Sequence, residues 1–104
     1  MTWQQSGSEE HVDYGKAKNY IAGLKLGGFG GQNDWRMPTL EEVMSIMERE
    51  KYDALHIDPI FDRKQSWIWT ADKESAGVAW VVNFSYGICL GRPINDSRYV
   101  RAVR

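Results

Sequence analysis

Apolar residues recur at helical spacing soon after the N-terminus. Asp13 stands where an N-cap residue would, and a glycine-rich run at residues 27–31 would end the helix. The pattern predicts a first amphipathic helix of about 12 residues. Its buried positions are Tyr14, Ala17, Ile21 and Leu24.

A second helical pattern follows the segment DWRMPT. Thr39 and Glu42 have the spacing of a capping box, and Pro38 comes just before, so this helix should begin at Leu40. Arg36 is predicted to be partly buried and bonded to backbone carbonyls or an acid. The buried stripe predicted for the helix is Leu40, Val43, Met44 and Met47, and its solvated side is Glu41, Glu48, Arg49 and Glu50.

Alternating side chains predict strands in the second half of the chain, at residues 67–71, 78–84 and 99–104. The middle strand is apolar on both faces and should therefore be central. Two helices followed by antiparallel strands indicate the α+β class, with the helices packed on one small, twisted sheet.

The segment SYGICLGRPINDSR, residues 85–98, has no sustained helical or strand period. It is too rich in large side chains for a plain linker. Irregular segments of this kind carry binding residues when a rigid scaffold holds them, so we expect it on a loop-bearing face.

The composition of the chain limits the range of possible functions. The chain has 104 residues, which suits one domain, and its 13 basic and 14 acidic residues give a net charge of -1. This balance argues against a nucleic-acid partner. The start, MTWQQSGSEE, lacks a basic and apolar leader, and apolar runs are short, so we expect no membrane span and a cytoplasmic location.

Residues with catalytic or metal-binding chemistry are few and dispersed. Cys89 is the only cysteine, which leaves neither an internal disulfide nor a cysteine-based metal site. His11 and His56 are far apart in the sequence, and only Asp58 stands near the second. Carboxylate pairs such as Glu9 with Glu10 fit a solvated surface. We therefore expect no enzyme activity, no metal and no cofactor.

Several segments together resemble a known family. TWQQ, DWRMPTLEEV, WIWTA, AWVVNFSYG and the final VRAVR are similar, in this order, to the Lcl C-terminal-like family, a domain of unknown function numbered 1566. The W-R-x-P-T element also resembles formylglycine-generating enzymes, but their chemistry uses two cysteines.

The resemblance to the Lcl family implies a C-type-lectin-like fold with two helices, a small antiparallel sheet and long loops that form a ligand surface. Many members join a cysteine of the first helix to one of the last strand. The matching positions here are Ile21 and Ala102, so an apolar contact would replace that bridge. Members often have a further strand upstream, so this chain could be the C-terminal module of a longer protein.

The arrangement also resembles the variable domains that diversity-generating retroelements diversify by mutating adenines. An asparagine codon changed in this way cannot become Lys, Glu, Gln, Met or Trp, and none of these stands at residues 85–98. We therefore predict a variable contact surface there. Its candidate residues are Tyr86, Ile88, Leu90, Arg92, Ile94, Asn95, Asp96 and Arg98.

The predicted function is a non-enzymatic module that binds a protein ligand through this surface. A structural or oligomerising domain is one alternative. A glycan is another, held either through calcium on Asn95 and Asp96 or as a sulfated polysaccharide on Arg92, Arg98 and Arg101. The sequence leaves the oligomeric state open.

Overall fold

The computed structural model describes residues 1–104 as an α+β domain, which confirms the predicted fold class. Two helices precede five strands, and a single 3-10 turn at Phe29–Gly31 follows the first helix. The helices are α1 (Tyr14–Gly27) and α2 (Leu40–Ser45), and the strands are β1 (Met47–Tyr52), β2 (Leu55–Ile57), β3 (Trp67–Ser75), β4 (Val78–Asn83) and β5 (Ile88–Pro93).

The strands form two antiparallel sheets, a β1–β2 hairpin and a three-stranded sheet in the order β3-β4-β5. Strand β4 lies in the centre, as its two apolar faces predict. One face of the sheet joins α1 in a core cluster that includes Trp69, Val81 and Ala17. The other face contributes Ile68 and Val82 to a second cluster with residues of α2 and β2.

Helix α1 forms as its pattern predicts. The Asp13 side chain accepts a hydrogen bond from the Lys16 amide at 2.8 Å, and Gly28 ends the helix in the left-handed conformation, with φ of 60°. Tyr14, Ala17 and Ile21 are buried. Ile21 and Ala102, which were expected to make an apolar contact, belong to the same apolar cluster.

The segment DWRMPT fixes the start of α2. The Thr39 side chain and Glu42 form the predicted capping box. Both Glu42 oxygens also accept hydrogen bonds from the Arg36 guanidinium, at 2.7 and 2.6 Å. This pair holds the pKa of Glu42 at about 2, below its usual 4.5. Arg36 thus bonds to an acid, as expected, although about half of its side chain is exposed.

Helix α2 is shorter than its pattern predicts. It ends at Ser45, and residues 47–52 form strand β1, which pairs with β2 around a tight turn. Met44 is exposed and Met47 lies in the strand. The residues expected on the solvated side, Glu48, Arg49 and Glu50, are exposed but on β1. Hairpin pairing with Leu55 and Ile57, both buried, outweighs the local helical preference.

The C-terminal segment, residues 99–104, is not a regular strand, which corrects the prediction. It makes isolated β-bridges instead. Val103 forms antiparallel bridges with Trp3 and with Arg36, and Tyr99 forms a parallel bridge with Ile68. The N-terminal segment pairs with it through backbone bonds at intervals, and the Gln4 and Ser8 side chains accept the Ala102 and Val100 amides. Because neighbours lie on both sides, residues 100–103 have no exposed surface.

Arg101 is fully buried within this segment. Its guanidinium donates hydrogen bonds to the carbonyl oxygens of Gln4, Gln5 and Asp62, the first at 3.0 Å and the last at 3.1 Å. It also lies over the Phe61 ring, 4.7 Å from the ring centre. Burial lowers the pKa of Arg101 to about 10, so the side chain remains charged at neutral pH. One cation therefore joins the N-terminal segment, the loop before β3 and the C-terminal segment.

We predict that Arg101→Met destabilises the protein by about 3 kcal/mol, because three carbonyls lose their charge-assisted bonds to a buried guanidinium. Urea denaturation followed by tryptophan fluorescence measures this. Arg49→Met, at an exposed arginine of β1, should change the free energy of unfolding by less than about 0.5 kcal/mol. Equal stability of the two variants would contradict the prediction.

We predict that Glu42→Gln costs about 1–2 kcal/mol near neutral pH, allowing for solvent screening of the half-exposed Arg36. The folded pKa of Glu42 is depressed, so this stabilisation is complete above about pH 4.5 and is lost as the pH falls toward 2. The stability difference between wild type and variant should shrink over that window in urea denaturation. A difference independent of pH would show that the ion pair contributes nothing.

Candidate functional site

The segment predicted as an irregular loop contains a strand. Residues 88–93 form β5, which pairs with β4 in continuous register from Asn83 opposite Ile88 to Val78 opposite Pro93. Leu90 and Arg92 therefore lie on the same face as Ile88, while Cys89 and Gly91 face the other way. The alternation separates large from small side chains rather than apolar from polar ones, which is why the sequence pattern concealed it.

The eight predicted contact residues differ in exposure. Tyr86 is 72% exposed and Ile88 45%, and Asn95 is also exposed. Leu90 and Ile94 are half-buried and pack against the core cluster beneath α1, so their side chains are partly structural. The remaining three, Arg92, Asp96 and Arg98, are half-buried.

The turn between β4 and β5 presents Tyr86. Asn83, which is fully buried, accepts hydrogen bonds through its side-chain oxygen from the amides of Ser85 and Tyr86, at 2.8 and 3.3 Å. Gly87 closes the turn with φ of 70°, and an added Cβ would lie 3.0 Å from the His56 ring. The turn is therefore held by the side chain of Asn83, which lies in β4 and not in the turn itself.

A cavity of about 310 Å³ lies where the C-terminal segment meets the start of β3. We call it the Trp67 cavity. The Arg98 guanidinium lies over the Trp67 ring, 4.5 Å from its centre, and the Arg92 guanidinium is 5.9 Å away. Its lining residues are His11, Trp67, Ser97, Arg98 and Tyr99.

Arg98 is held in place at the Trp67 cavity. Its guanidinium donates to the Ser97 carbonyl, and Asp96 lies 3.5 Å away. Burial lowers the pKa of Arg98, the Asp96 carboxylate acts in the opposite direction, and the nearby Arg92 lowers it further. Two guanidinium groups are thus close enough to repel each other beside a single carboxylate.

The structure brings together only part of the predicted surface. Arg92 and Arg98 meet at Trp67, whereas Tyr86 lines a separate cavity with Met44, Met47 and His56 among others. His11, Trp67 and Tyr99 were not among the predicted contact residues. Trp67 was expected only as a strand residue, and its position at the beginning of the strand, just after a loop, was the signal available.

The structure bears on the two glycan sites considered from the sequence, the arginine strip and the calcium site. Arg101 is buried, so the expected strip of three arginines for a sulfated polysaccharide does not exist as predicted. Asp96, one of the two residues considered for calcium, has the Arg98 guanidinium as a cationic partner at 3.5 Å. No group of three or more histidine, cysteine, aspartate or glutamate residues is placed to hold a metal ion.

These features define an α+β domain whose three-stranded sheet has a solvent-facing strand at one edge. Comparison with family models gives the particular family. The model of the Lcl C-terminal domain matches residues 1–104, and the chain belongs to that family. Comparison with curated proteins gave no match. Neither helix is long and apolar enough to cross a membrane.

We predict that Asn83→Ala destabilises the protein by about 1–2 kcal/mol, because two amides of the turn lose their acceptor. Thermal unfolding followed by circular dichroism measures the loss. Asn33→Ala, at an exposed asparagine, serves as the control and should leave the melting temperature nearly unchanged. A turn that is stable without Asn83 would show the same melting temperature in both variants.

Proposed function

We propose that this domain is a non-enzymatic module that binds a protein ligand through β5 and the turn before it. The observation that carries the proposal is the outer edge of β5. None of the backbone hydrogen bonds outside the strand ladders involves residues 88–92, and β5 has a neighbour in the sheet on one side only. An extended segment of a partner could add to this edge as a further strand.

The edge lacks two of the features that usually prevent strand addition, although it carries one charged side chain, Arg92. The β4–β5 pairing has no bulge, and the only proline stands at the end of β5. The opposite edge of the sheet differs, because other parts of the chain bond to β3 there. Tyr99 both donates and accepts backbone hydrogen bonds with β3, and the Pro38 carbonyl accepts one from it. The two edges of the sheet are therefore unequal, because β3 is bonded along its first half whereas β5 has no such bonds along residues 88–92.

Side chains around the edge suit a protein partner. Tyr86 and Ile88 would contribute apolar contact area, and Arg92 and Arg98 would contribute directional hydrogen bonds. Leu90 and Ile94 of the segment pack against the core. The turn that carries Tyr86 is held by Asn83, which lies outside the segment, and this supports a scaffold with a variable surface. A structural or oligomerising domain remains the competing function, with β5 then pairing within an assembly of its own protein.

Selection of a displayed peptide library on the wild-type chain tests the proposal. We expect extended peptides to be enriched, and Tyr86→Ala combined with Ile88→Ala to weaken their binding at least tenfold. The melting temperature of this double variant should stay within about 3 °C of wild type, because both side chains are largely exposed.

The matched control combines Leu26→Ala with Ile60→Ala, which removes two exposed apolar side chains far along the chain from β5. It should leave peptide binding unchanged. Peptides that bind the two double variants equally would place the ligand surface elsewhere. A large loss of stability in the Tyr86 and Ile88 variant would instead favour a structural role.

A further inference from the structure

The guanidinium groups of Arg92 and Arg98 near Trp67 differ in the hydrogen bonds and ion pairs that they make. Arg98 has the Asp96 carboxylate at 3.5 Å and the Ser97 carbonyl. The Arg92 side chain has no hydrogen bond and no ion pair in the structure. Its Nε is buried without a partner, and so is the Nε of Arg98. This corner of the domain therefore holds two cations, one carboxylate and two unused buried donors.

An unpaired arginine is ordinary on an open surface, but Arg92 is half-buried. Its Nε–H has lost contact with water without gaining an acceptor in the protein. An anion beside both guanidinium groups would accept hydrogen bonds from these side chains and relieve the repulsion between the two charges. The electrostatics of the corner thus favour one negatively charged group.

The neighbouring cavity indicates what that group is attached to. The flat rings of Trp67 and Tyr99 contribute to its walls, and the Tyr99 ring packs edge-on against His11 at 5.7 Å. Aromatic walls favour an apolar body. A sulfated polysaccharide would instead need several cations in a row, and the third arginine that would extend the row, Arg101, is buried.

We propose that the Trp67 cavity, with Arg92 and Arg98 beside it, is a subsite for a carboxylate carried on an apolar body. In the protein ligand this group is an acidic side chain next to an apolar residue, or the carboxylate of an apolar C-terminal residue. The inference rests on the proposed function, since it names the ligand chemistry that this part of the surface recognises.

Phenylacetate and its neutral analogue phenylacetamide form a matched pair of probes. We expect phenylacetate to bind with a Kd of about 1–10 mM, because a ligand with so few atoms makes few contacts. Its binding should shift the Trp67 indole N–H signal in a ¹⁵N–¹H NMR titration. Phenylacetamide should bind at least tenfold more weakly. Acetyl-Ala-Ala-Phe with a free carboxylate, compared with acetyl-Ala-Asp-Phe-amide, distinguishes a C-terminal from a side-chain carboxylate.

Arg92→Gln and Arg98→Gln should each weaken phenylacetate binding at least fivefold, because glutamine keeps donors but removes the charge. Arg49→Gln, at the exposed arginine of β1, should leave it unchanged. Arg92→Gln is the decisive variant, since Arg92 has no hydrogen bond or ion pair to lose on substitution.

Equal binding of phenylacetate and phenylacetamide would overturn the inference, as would binding that Arg92→Gln leaves intact. A sulfated disaccharide that binds more tightly than either carboxylate peptide would also overturn it, in favour of a glycan. Failure here is separable from failure of the proposed function. If binding of the library peptides depends on Tyr86 and Ile88 but not on Arg92, the carboxylate subsite is disproved while the proposed protein binding still holds.

Discussion

The architecture depends on one buried cation. The Arg101 guanidinium donates to carbonyl groups in the N-terminal segment and in the loop before β3, and its position in the C-terminal segment brings three distant parts of the chain together. Neutral carbonyls carry partial negative charge, so several are needed to offset the cost of burying the guanidinium. An arginine can reach them because its donors diverge from one planar group.

This constraint also determines the candidate site. With Arg101 fixed, the C-terminal segment runs between the N-terminal segment and β3, and its first residues lie beside Trp67. Arg98 and Tyr99 therefore reach the Trp67 cavity from the seam between the chain ends, whereas Arg92 reaches the same ring from the opposite edge of the sheet. The site combines side chains from elements that the core holds rigidly.

The proposed binding surface has two chemically distinct parts. The open edge of β5, with Tyr86 and Ile88, offers backbone groups and apolar area, which tolerate different partner sequences. The Trp67 cavity offers charge and a defined shape, which would discriminate among ligands in the proposed function. Leu90 and Ile94, which pack against the core, contribute to the stability of the frame as well as to its surface. The core therefore constrains the side chains at these two positions more than those of Tyr86 and Asn95, which are exposed.

Local chemistry in the sequence determined the α+β class, the caps of both helices and the central place of β4, because caps and apolar periodicity act over a few residues. The Arg36 partner was predicted only as an acid or a carbonyl. Tertiary structure decided that α2 gives way to a hairpin, that β5 is a strand, and that Arg101 is buried rather than part of a surface strip. Each of these outcomes depends on hydrogen-bond partners far away in the chain, which a local pattern does not reveal.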